Sequence, residues 1–260
     1  MIDILCNERC SKCNHWTKKS NKEIMDYKLV SNFINDIPSL KEVCIVGGEP
    51  LIYADMIVKI IDNINNEGVR CVIVTNGVLA TPSFIDKVKD KNIHIVFSID
   101  TIDKDFWKFV RGKDTYDIVM KNFQYAHDVL LPEKLSVQSV LAKETKSYVE
   151  AVGKYLDKLG IYHSIQNYVS DGFEGQWTEI SNNVSCDGKC IANKHNLSIM
   201  ANGDIYTCFQ QNLINGYEKQ IGNIRKDDFK DIINSKYLKE VLCAMEDCNL
   251  PCKVLKCNLG

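Results

Sequence analysis

The stretch KEVCIVGGEPLIYADMIVKIIDNINNEGVRCVIVTNG, residues 41–77, contains two short runs rich in β-branched residues. These runs, 41–46 and 69–74, are separated by a segment in which apolar residues recur at helical spacing. A strand, a helix and a second strand in this order predict parallel pairing through a right-handed crossover. The stretch therefore predicts one βαβ unit.

The same alternation continues on both sides of this unit. Further β-like runs occur at 2–5 before it and at 93–99, 134–140 and 161–167 after it. Six strand-then-helix units, the last incomplete, predict an α/β fold with a parallel sheet, either open or part of a (β/α) barrel. In such folds functional side chains gather at the carboxyl ends of the strands.

The alternation stops near residue 170. Residues 169–190 are polar, dotted with glycine and aperiodic, which indicates a linker into a second module. That module is predicted to contain a β-hairpin turning at Asn202-Gly203, a helix at about 228–242 and a cysteine-rich tail. We therefore expect a core at residues 1–170 and a small C-terminal module at residues 171–260.

Composition and charge exclude several classes of protein. The chain has 260 residues and a formal net charge of -2, without the basic excess expected of a protein that follows a nucleic-acid backbone. It shows no secretion-signal pattern and no apolar stretch long enough to span a membrane. The sequence therefore predicts a cytoplasmic protein with neither a membrane nor nucleic acid as its partner.

Twelve cysteines are many for such a chain, and in a reducing compartment they indicate metal binding or catalysis. Cys6, Cys10 and Cys13 follow the first predicted strand. Three thiolates on a short loop suit zinc or an iron-sulfur cluster, each of which ordinarily takes four ligands. The fourth ligand is then a residue from elsewhere or an open iron reserved for a small molecule. Cys44 and Cys71 lie in apolar runs and are predicted to be small buried hydrophobes.

The spacing Cys-x3-Cys-x2-Cys after an N-terminal strand resembles the signature of the radical S-adenosylmethionine (radical SAM) superfamily. Four further short motifs of that family follow in order, namely GGEP at 47–50, TNG at 75–77, SID at 98–100 and RG at 111–112. Each motif alone is a common turn or helix cap. Their order behind the three-thiol loop is specific, and the resemblance covers most of the chain.

The resemblance implies a partial (β/α)6 TIM-like barrel and a cofactor site. Cys6, Cys10 and Cys13 would hold three irons of a 4Fe-4S cluster, and S-adenosylmethionine would chelate the fourth. An electron from the cluster would then cleave the sulfonium to methionine and a 5′-deoxyadenosyl radical, which abstracts hydrogen from an unactivated C–H bond. A reductant such as flavodoxin or ferredoxin is the expected electron donor.

The resemblance also implies contacts to S-adenosylmethionine. Backbone carbonyls at Gly47 and Gly48 would approach the methionine ammonium without a Cβ in the way, and Glu49 would accept from it as well. Ser98 and Arg111 are candidates for contacts to the ribose or the carboxylate.

Position 12 departs from the family pattern. The family usually carries an aromatic residue immediately before the third cysteine, near the adenine, and this chain has Lys12 there. We expect His15 or Trp16, just beyond Cys13, to supply the ring from the other side.

A second group of cysteines resembles the SPASM and twitch extensions, which carry auxiliary 4Fe-4S clusters. Cys190, Gly203 and Cys208 have the spacing that opens these extensions, and the predicted hairpin would bring Cys208 back toward Cys190. Seven thiols make up the group: Cys186, Cys190, Cys208, Cys243, Cys248, Cys252 and Cys257.

Two completions of the auxiliary site remain open. In the twitch arrangement Cys190, Cys208, Cys248 and Cys252 hold one closed cluster. In the full SPASM arrangement Cys186 replaces Cys248, and the remaining thiols hold a second cluster with an open iron. The remaining thiols are then Cys243, Cys248 and Cys257. Because the tail is short and lacks Cys-x2-Cys, one auxiliary cluster is favoured.

Relatives with such extensions oxidise or crosslink peptides, and this peptide chemistry is the predicted function. The chain starts five residues before Cys6, so we expect a separate recognition protein to bind any peptide substrate. One alternative is dehydrogenation or epimerisation of a sugar or aminocyclitol. A further alternative, from a different class, is a non-enzymatic iron-sulfur electron-transfer protein or zinc scaffold. Such a protein would not need the GGEP motif.

Proton acceptors for such chemistry are predicted near the junction of the two modules. The candidates are Asp171, Glu174 and Asp204. His163 and Tyr168 on or next to the sixth predicted strand are further residues that could face a substrate.

Overall fold

The structure is a computed structural model. It describes residues 1–13, 15–17, 25–168, 177–179, 196–208, 211, 214 and 216–246. The first of its two sheets has five parallel strands in the order β1-β2-β3-β4-β5. These strands are β1 (Glu42–Ile45), β2 (Arg70–Thr75), β3 (Ile93–Ser98), β4 (Leu135–Leu141) and β5 (Tyr162–Asn167). Sequential order and parallel pairing are what successive right-handed crossovers produce, so the predicted α/β class is confirmed.

The connecting helices begin and end at residues that satisfy the backbone hydrogen-bonding groups of their terminal turns. They are α1 (Tyr27–Asn35), α2 (Ala54–Asp62), α3 (Pro82–Val88), α4 (Lys104–Arg111), α5 (Tyr116–Val129) and α6 (Lys146–Leu159). The Asp103 carboxylate caps α4 by accepting from the Phe106 amide at 2.8 Å. Gly112 at φ 66° ends α4 and Gly160 at φ 67° ends α6, as left-handed C-terminal residues.

One face of the sheet packs against these helices. Ile95, Phe97 and Val137 are fully buried on it, and Phe97 meets Phe123 of α5 edge to face at 5.5 Å. Register places Phe97 opposite Val137, so apolar side chains line up across the strands. The alternation along each strand leaves the other face for smaller and more polar side chains, such as Ser98 and Gln138.

The first predicted strand, residues 2–5, is not a regular strand. The segment still runs beside β1, because the Ile2 amide donates to the Val46 carbonyl at 3.0 Å. Farther along, the Gly48 and Glu49 amides donate to the Asp3 and Leu5 carbonyls at 2.9 and 2.7 Å. These last two donors lie beyond the end of β1, so the segment bends away from strand geometry as it approaches the thiols.

One cysteine prediction is confirmed and the other is wrong. Cys71 is buried at 1% exposure, but Cys44 is exposed. β1 is the outermost strand of the sheet, and Cys44 points away from the helix-covered face that Val43 and Ile45 share. An apolar neighbourhood in sequence therefore does not bury a side chain on the open face of an edge strand.

The described part of the C-terminal module is a small antiparallel sheet followed by two helices. The elements are β6 (Ser198–Ile199), β7 (Asp204–Tyr206), β8 (Gly222–Asn223), α7 (Phe229–Asn234) and α8 (Lys236–Glu246). β6 pairs with β7 around the predicted turn, where Gly203 has φ 91°, so the hairpin is confirmed. The single helix predicted at 228–242 is instead two helices, because Ser235 between them is extended.

The module shares a hydrophobic core with α1 and α2. Phe33 of α1 packs edge to face on Phe229 of α7 at 6.0 Å. Ile205, Val241 and Met245, all fully buried, belong to the same cluster as residues of α1 and α2. In the part of the chain that the structure describes, no helix is both long and apolar enough to cross a membrane.

Candidate active site

The three thiols lie on a segment that the core holds from two sides. One side is the turn after β1, whose amides donate to the carbonyls of residues 3 and 5. The other side is the end of α4, where Arg9 and Ser11 amides donate to the Arg111 and Val110 carbonyls at 3.0 and 3.1 Å. The thiol loop, residues 6–13, is therefore fixed by backbone contacts about a hundred residues away in sequence.

Glycines allow the core to approach this segment so closely. A Cβ on Gly48 would lie 2.2 Å from the Leu5 carbonyl oxygen, and one on Gly47 would lie 2.6 Å from that of Asp3. A Cβ on Gly112 would lie 2.2 Å from the Arg9 carbonyl oxygen. No side chain fits at such distances. Packing of the thiol segment thus accounts for these glycines, independently of the cofactor contact expected at Gly47 and Gly48.

The loop borders a cavity of about 170 Å³. Its lining contains Glu8, which the sequence did not single out, and six residues predicted for the cofactor site: Cys6, Cys10, Cys13, Trp16, Gly47 and Gly48. Trp16 is partly exposed, and its indole Nε1 donates to the Cys10 carbonyl at 3.3 Å. His15 lies in a 3-10 turn at 15–17, and its side chain is not among the described ones.

The thiols fit an iron-sulfur cluster in chemistry, and all three line one cavity. Cys6, Cys10 and Cys13 form no disulfide, and each is partly exposed. Among the described residues, no three His, Cys, Asp or Glu converge closely enough to hold one metal ion. A cluster distributes its cysteines over different irons, so it needs thiols arranged around a space rather than around a point. Burial raises the pKa of the Cys6 thiol to about 11, and cluster binding has to displace that proton.

Glu49 is buried at 2% exposure and is engaged by the protein itself. Its Oε1 accepts from the Leu51 amide at 2.9 Å and the Thr75 hydroxyl at 2.8 Å, and its Oε2 accepts from the Asn76 amide at 2.7 Å. Burial raises the pKa of Glu49, against the lowering effect of these hydrogen bonds. The carboxylate thus ties the GGEP turn to the TNG turn at the end of β2.

Asp100, from the SID motif, is the centre of a buried ion cluster with Lys12 and Arg111. The Lys12 ammonium lies 2.7 Å from both Asp100 oxygens, and Arg111 Nη2 lies 3.2 Å from Oδ2. The Arg111 guanidinium also donates to the Ser98 carbonyl and, through Nη1, to Cys10 Sγ at 3.8 Å. Its Nε is buried without a partner among the described residues.

Neighbouring charged groups determine the ionisation of Asp100 and Arg111. Burial acts to raise the pKa of Asp100, but Lys12 and Arg111 outweigh it and hold that pKa below its usual value. Burial acts to lower the pKa of Arg111, but Asp100, Cys10 and Glu8 outweigh it. Both groups are therefore ionised.

Trp177 is a site residue that the sequence did not single out. It is 5% exposed, and its Nε1 donates to the Ser11 hydroxyl at 2.8 Å. The Lys12 ammonium lies 5.2 Å from the centre of its ring, within cation–π range. The next residue, Thr178, donates from its amide and hydroxyl to Glu144. This short segment, 177–179, is thus fastened both to the thiol loop and to the end of β4.

Glu8 is a second buried acid in the loop, at 1% exposure. Its Oε1 accepts from the Thr115 hydroxyl at 2.8 Å, which in turn accepts from Trp107 Nε1 at 3.0 Å. Its Oε2 has no partner among the described residues. Burial raises the pKa of Glu8, against the effect of Thr115 and Arg111.

Other predicted residues lie away from the thiol cavity. Asp204 lines a separate cavity of about 190 Å³ and accepts hydrogen bonds from Asn202 and Asn223. His163 contacts the Ser139 hydroxyl at 2.7 Å and faces Gly153 of α6, so it points into the helix layer. Tyr168 packs near Trp177, with ring centres 5.9 Å apart.

The auxiliary cysteines are only partly described. Cys208 is half-buried after β7, and Cys243 is exposed on α8. The remaining predicted ligands and acids lie outside the described residues: Asp171, Glu174, Cys186, Cys190, Cys248, Cys252 and Cys257.

Two family models match the chain. The radical SAM superfamily matches residues 5–156, and the SPASM iron-sulfur cluster-binding domain matches residues 190–258. The resemblance inferred from the motifs is therefore confirmed.

Relatives of similar sequence carry different descriptions. An uncharacterized protein of Methanocaldococcus jannaschii is 28% identical over 165 residues, 60% of this chain and 56% of that protein. A probable GTP 3′,8-cyclase of Pyrococcus abyssi is 29% identical over 135 residues, 51% of this chain and 44% of that protein. The chain thus spans about half the length of the curated relatives it matches.

The fold is shared with a solved enzyme. SuiB of Streptococcus suis bound to S-adenosylmethionine superposes with a TM-score of 0.78 at 16% identity, covering 96% of this chain and 71% of that one. The same protein is also known bound to the precursor peptide SuiA. At this identity the likeness shows the fold alone, and it confirms the predicted fold class.

Proposed function

Because the chain belongs to the radical SAM superfamily, we propose that it removes a hydrogen atom from an unactivated C–H bond of a peptide, giving net oxidation or a crosslink. Its cofactors are 4Fe-4S clusters and S-adenosylmethionine. When bound, a reduced cluster supplies the electron that cleaves the sulfonium of S-adenosylmethionine. The observation that carries the proposal is the single cavity that three thiols and the GGEP glycines line together.

Each residue of the site has a proposed role. Cys6, Cys10 and Cys13 are the cluster ligands. Backbone groups at Gly47 and Gly48, together with Glu49, accept from the methionine ammonium. Glu49 Oε2, with one protein donor against two on Oε1, has more room for a further donor.

Near α4, the site suits a hydrogen-bond acceptor group of S-adenosylmethionine. Arg111 is the proposed donor to its carboxylate or ribose, and its unpartnered Nε supports this role. Ser98 lies beside Arg111, to which it already offers its carbonyl oxygen. Trp16, which lines the cavity, is the proposed aromatic contact.

A peptide substrate is supported by the extent of the structural likeness. The superposition with SuiB, which binds a precursor peptide, covers 96% of this chain. A separate recognition protein, a flavodoxin or ferredoxin as reductant, and a cytoplasmic location complete the proposal.

Relatives described as GTP 3′,8-cyclases favour a nucleotide as the second candidate. The chain has 32 lysines and arginines, and both residue types bind phosphates, so isotope transfer is the measurement that separates the two candidates.

For the C-terminal module, residues 171–260, we propose one auxiliary cluster, held by Cys190, Cys208, Cys248 and Cys252. The alternative set replaces Cys248 by Cys186 and leaves Cys243, Cys248 and Cys257 for a second cluster. Iron counting after anaerobic reconstitution separates them, since one auxiliary cluster gives about eight irons per chain and two give about twelve. About four irons would contradict both sets.

Radical chemistry is tested by reconstituting the chain anaerobically and measuring 5′-deoxyadenosine after reduction in the presence of S-adenosylmethionine. Replacing Cys6, Cys10 and Cys13 together by Ala should abolish the product, whereas Cys44→Ala, which removes an exposed thiol elsewhere, should not. Cleavage retained in the triple variant would refute the assignment.

The substrate class is tested by isotope transfer. Perdeuterated peptides encoded beside the gene should pass deuterium to 5′-deoxyadenosine, and the same peptides without label should lose two hydrogens in the mass spectrum. Transfer from deuterated GTP, and from no peptide, would support the nucleotide instead. Replacing Asp171, Glu174 and Asp204 singly by Asn or Gln tests them as proton acceptors: the true acceptor's variant should still transfer deuterium but accumulate less product.

A further inference from the structure

We propose that Lys12 and Asp100 set the reduction potential of the cluster held by Cys6, Cys10 and Cys13, by fixing the net charge beside Cys10. Both are positioning residues that act on the cluster by their charge, and Arg111 connects Asp100 to Cys10. The proposal rests on the proposed function in one respect only, namely that these three thiols hold a cluster.

The contacts form a continuous chain from Lys12 to a thiol. Lys12 binds both oxygens of Asp100 at 2.7 Å, and Asp100 is completely buried. Arg111, 2% exposed, lies 3.2 Å from Asp100 and donates to Cys10 Sγ at 3.8 Å. The Val140 amide donates to Asp100 at 2.8 Å and fixes the carboxylate from the opposite strand.

Counting charges shows what Lys12 adds. Arg111 and Asp100 alone form a neutral pair. With Lys12, the three side chains carry a net charge of +1. One-electron reduction of an iron-sulfur cluster adds one negative charge, so a nearby positive charge stabilises the reduced state and raises the potential. Groups that are the same in all variants, such as Glu8, do not contribute to the differences in reduction potential between them.

Water screens this charge poorly, which makes the effect measurable. The Lys12 side chain is only 15% exposed, and Trp177 lies over its ammonium at 5.2 Å. Charges act over longer distances where solvent is excluded. An aromatic residue, which the family usually carries at position 12, would bring no charge, so the lysine is a feature of this chain.

The experiment is a redox titration of the reconstituted full chain, followed by electron paramagnetic resonance. The cluster at issue is identified by the signal that changes when S-adenosylmethionine is added, and any other cluster signal serves as an internal reference. Four variants are compared with the parent: Lys12→Gln, Lys12→Arg, Asp100→Asn and the double variant Lys12→Gln/Asp100→Asn. Lys87→Gln is the matched control, because it removes one charge from an exposed pair with Asp55.

The expected shifts follow the net charge. Lys12→Gln leaves the three side chains with a net charge of zero and lowers the potential. Asp100→Asn leaves a net charge of +2 and raises the potential. The double variant has the parent's net charge of +1, and its potential returns toward that of the parent. Lys12→Arg and Lys87→Gln leave the potential unchanged. Opposite shifts that cancel in the double variant cannot come from loss of structure, which would move all variants the same way.

Several outcomes overturn the proposal. An unchanged potential in Lys12→Gln refutes it, as does the same shift in Lys87→Gln. Loss of the cluster from Lys12→Gln also refutes it, because the pair would then hold the loop rather than tune its potential. If Asp100→Asn does not retain iron, the reduction potentials of Lys12→Gln and Lys12→Arg are compared, and this comparison tests the proposal by itself. Failure of the proposed function is distinct, since the parent chain would then lack any cluster signal that responds to S-adenosylmethionine.

Discussion

The thiol loop, which contains three cysteines, and the Asn202-Gly203 hairpin, which Cys208 follows, are held in different ways. The loop's amides at Arg9 and Ser11 bind carbonyls of Arg111 and Val110. The hairpin closes on itself, because the Met200 amide binds the Asp204 carbonyl at 2.8 Å and the Gly203 amide binds the Met200 carbonyl at 2.9 Å. The loop is positioned by distant backbone, whereas the hairpin has hydrogen bonds across its own turn in addition to its pairing with β8.

The glycines show what this difference means for tolerance to substitution. A Cβ at Gly112 meets the backbone oxygen of Arg9 at 2.2 Å, and that oxygen cannot move without displacing the loop. A Cβ at Gly203 meets side-chain atoms of Asn223 and Arg225, at 2.9 and 3.2 Å, and side chains can rotate away. We therefore expect the loop to be more sensitive than the hairpin.

The largest effect is expected at Gly112. Gly112→Ala combines positive-φ strain with the backbone clash, and we expect it to cost about 4 kcal/mol or more of unfolding free energy. Gly160→Ala is the matched control, since Gly160 has nearly the same φ of 67° and nothing within 4 Å of the added Cβ. It should cost only about 1–2 kcal/mol. Urea unfolding of the apoprotein gives both values, and equal costs would contradict the close approach.

Glu49 tests whether the GGEP turn is held before any cofactor binds. Glu49→Ala leaves the Thr75 hydroxyl and the Leu51 and Asn76 amides without their acceptor, and we expect a loss of about 3 kcal/mol. Thermal unfolding of the apoprotein measures it. Weaker binding of S-adenosylmethionine with unchanged apoprotein stability would mean that the carboxylate serves the ligand alone.

Trp177 and Trp16 sharpen the comparison within the loop, because each donates an indole hydrogen bond to it. Trp177→Phe removes a buried bond to Ser11, so we expect a cost of about 1 kcal/mol. Trp16 is 38% exposed, and Trp16→Phe should cost about 0.5 kcal/mol or less. Chemical denaturation of both variants checks the order, and a larger effect at Trp16 would contradict it.

The smallest difference is expected in the hairpin. Gly203→Ala and Gly216→Ala both place alanine at positive φ, 91° and 85°, but only Gly203 has neighbours close to the new Cβ. Because those neighbours are flexible side chains, Gly203→Ala should cost no more than about 1 kcal/mol beyond Gly216→Ala. Unfolding monitored by the fluorescence of the parent and both variants measures it. An excess as large as that at Gly112 would remove the distinction between the two regions.

The sequence by itself determined the elements whose causes are local. The period-two runs and helical segments from 41 to 167 give five of the six predicted strands, and Asn202-Gly203 gives the hairpin. The family motifs point to the three thiols and the GGEP turn, which the structure brings to one cavity. Such signals are readable because neighbours along the chain decide them.

Only the tertiary structure decided which distant residues meet. Asp100 meets Lys12, 88 positions away, and Trp177 meets Ser11, 166 positions away. Nothing in the neighbourhood of Lys12 shows that a buried carboxylate will hold it, and nothing near Trp177 shows that it will cover the loop. The crossovers of the sheet place the end of β3 beside the thiol loop, and burial then forces each charge there to find a partner. The sequence contains those partners, but only the fold brings them together.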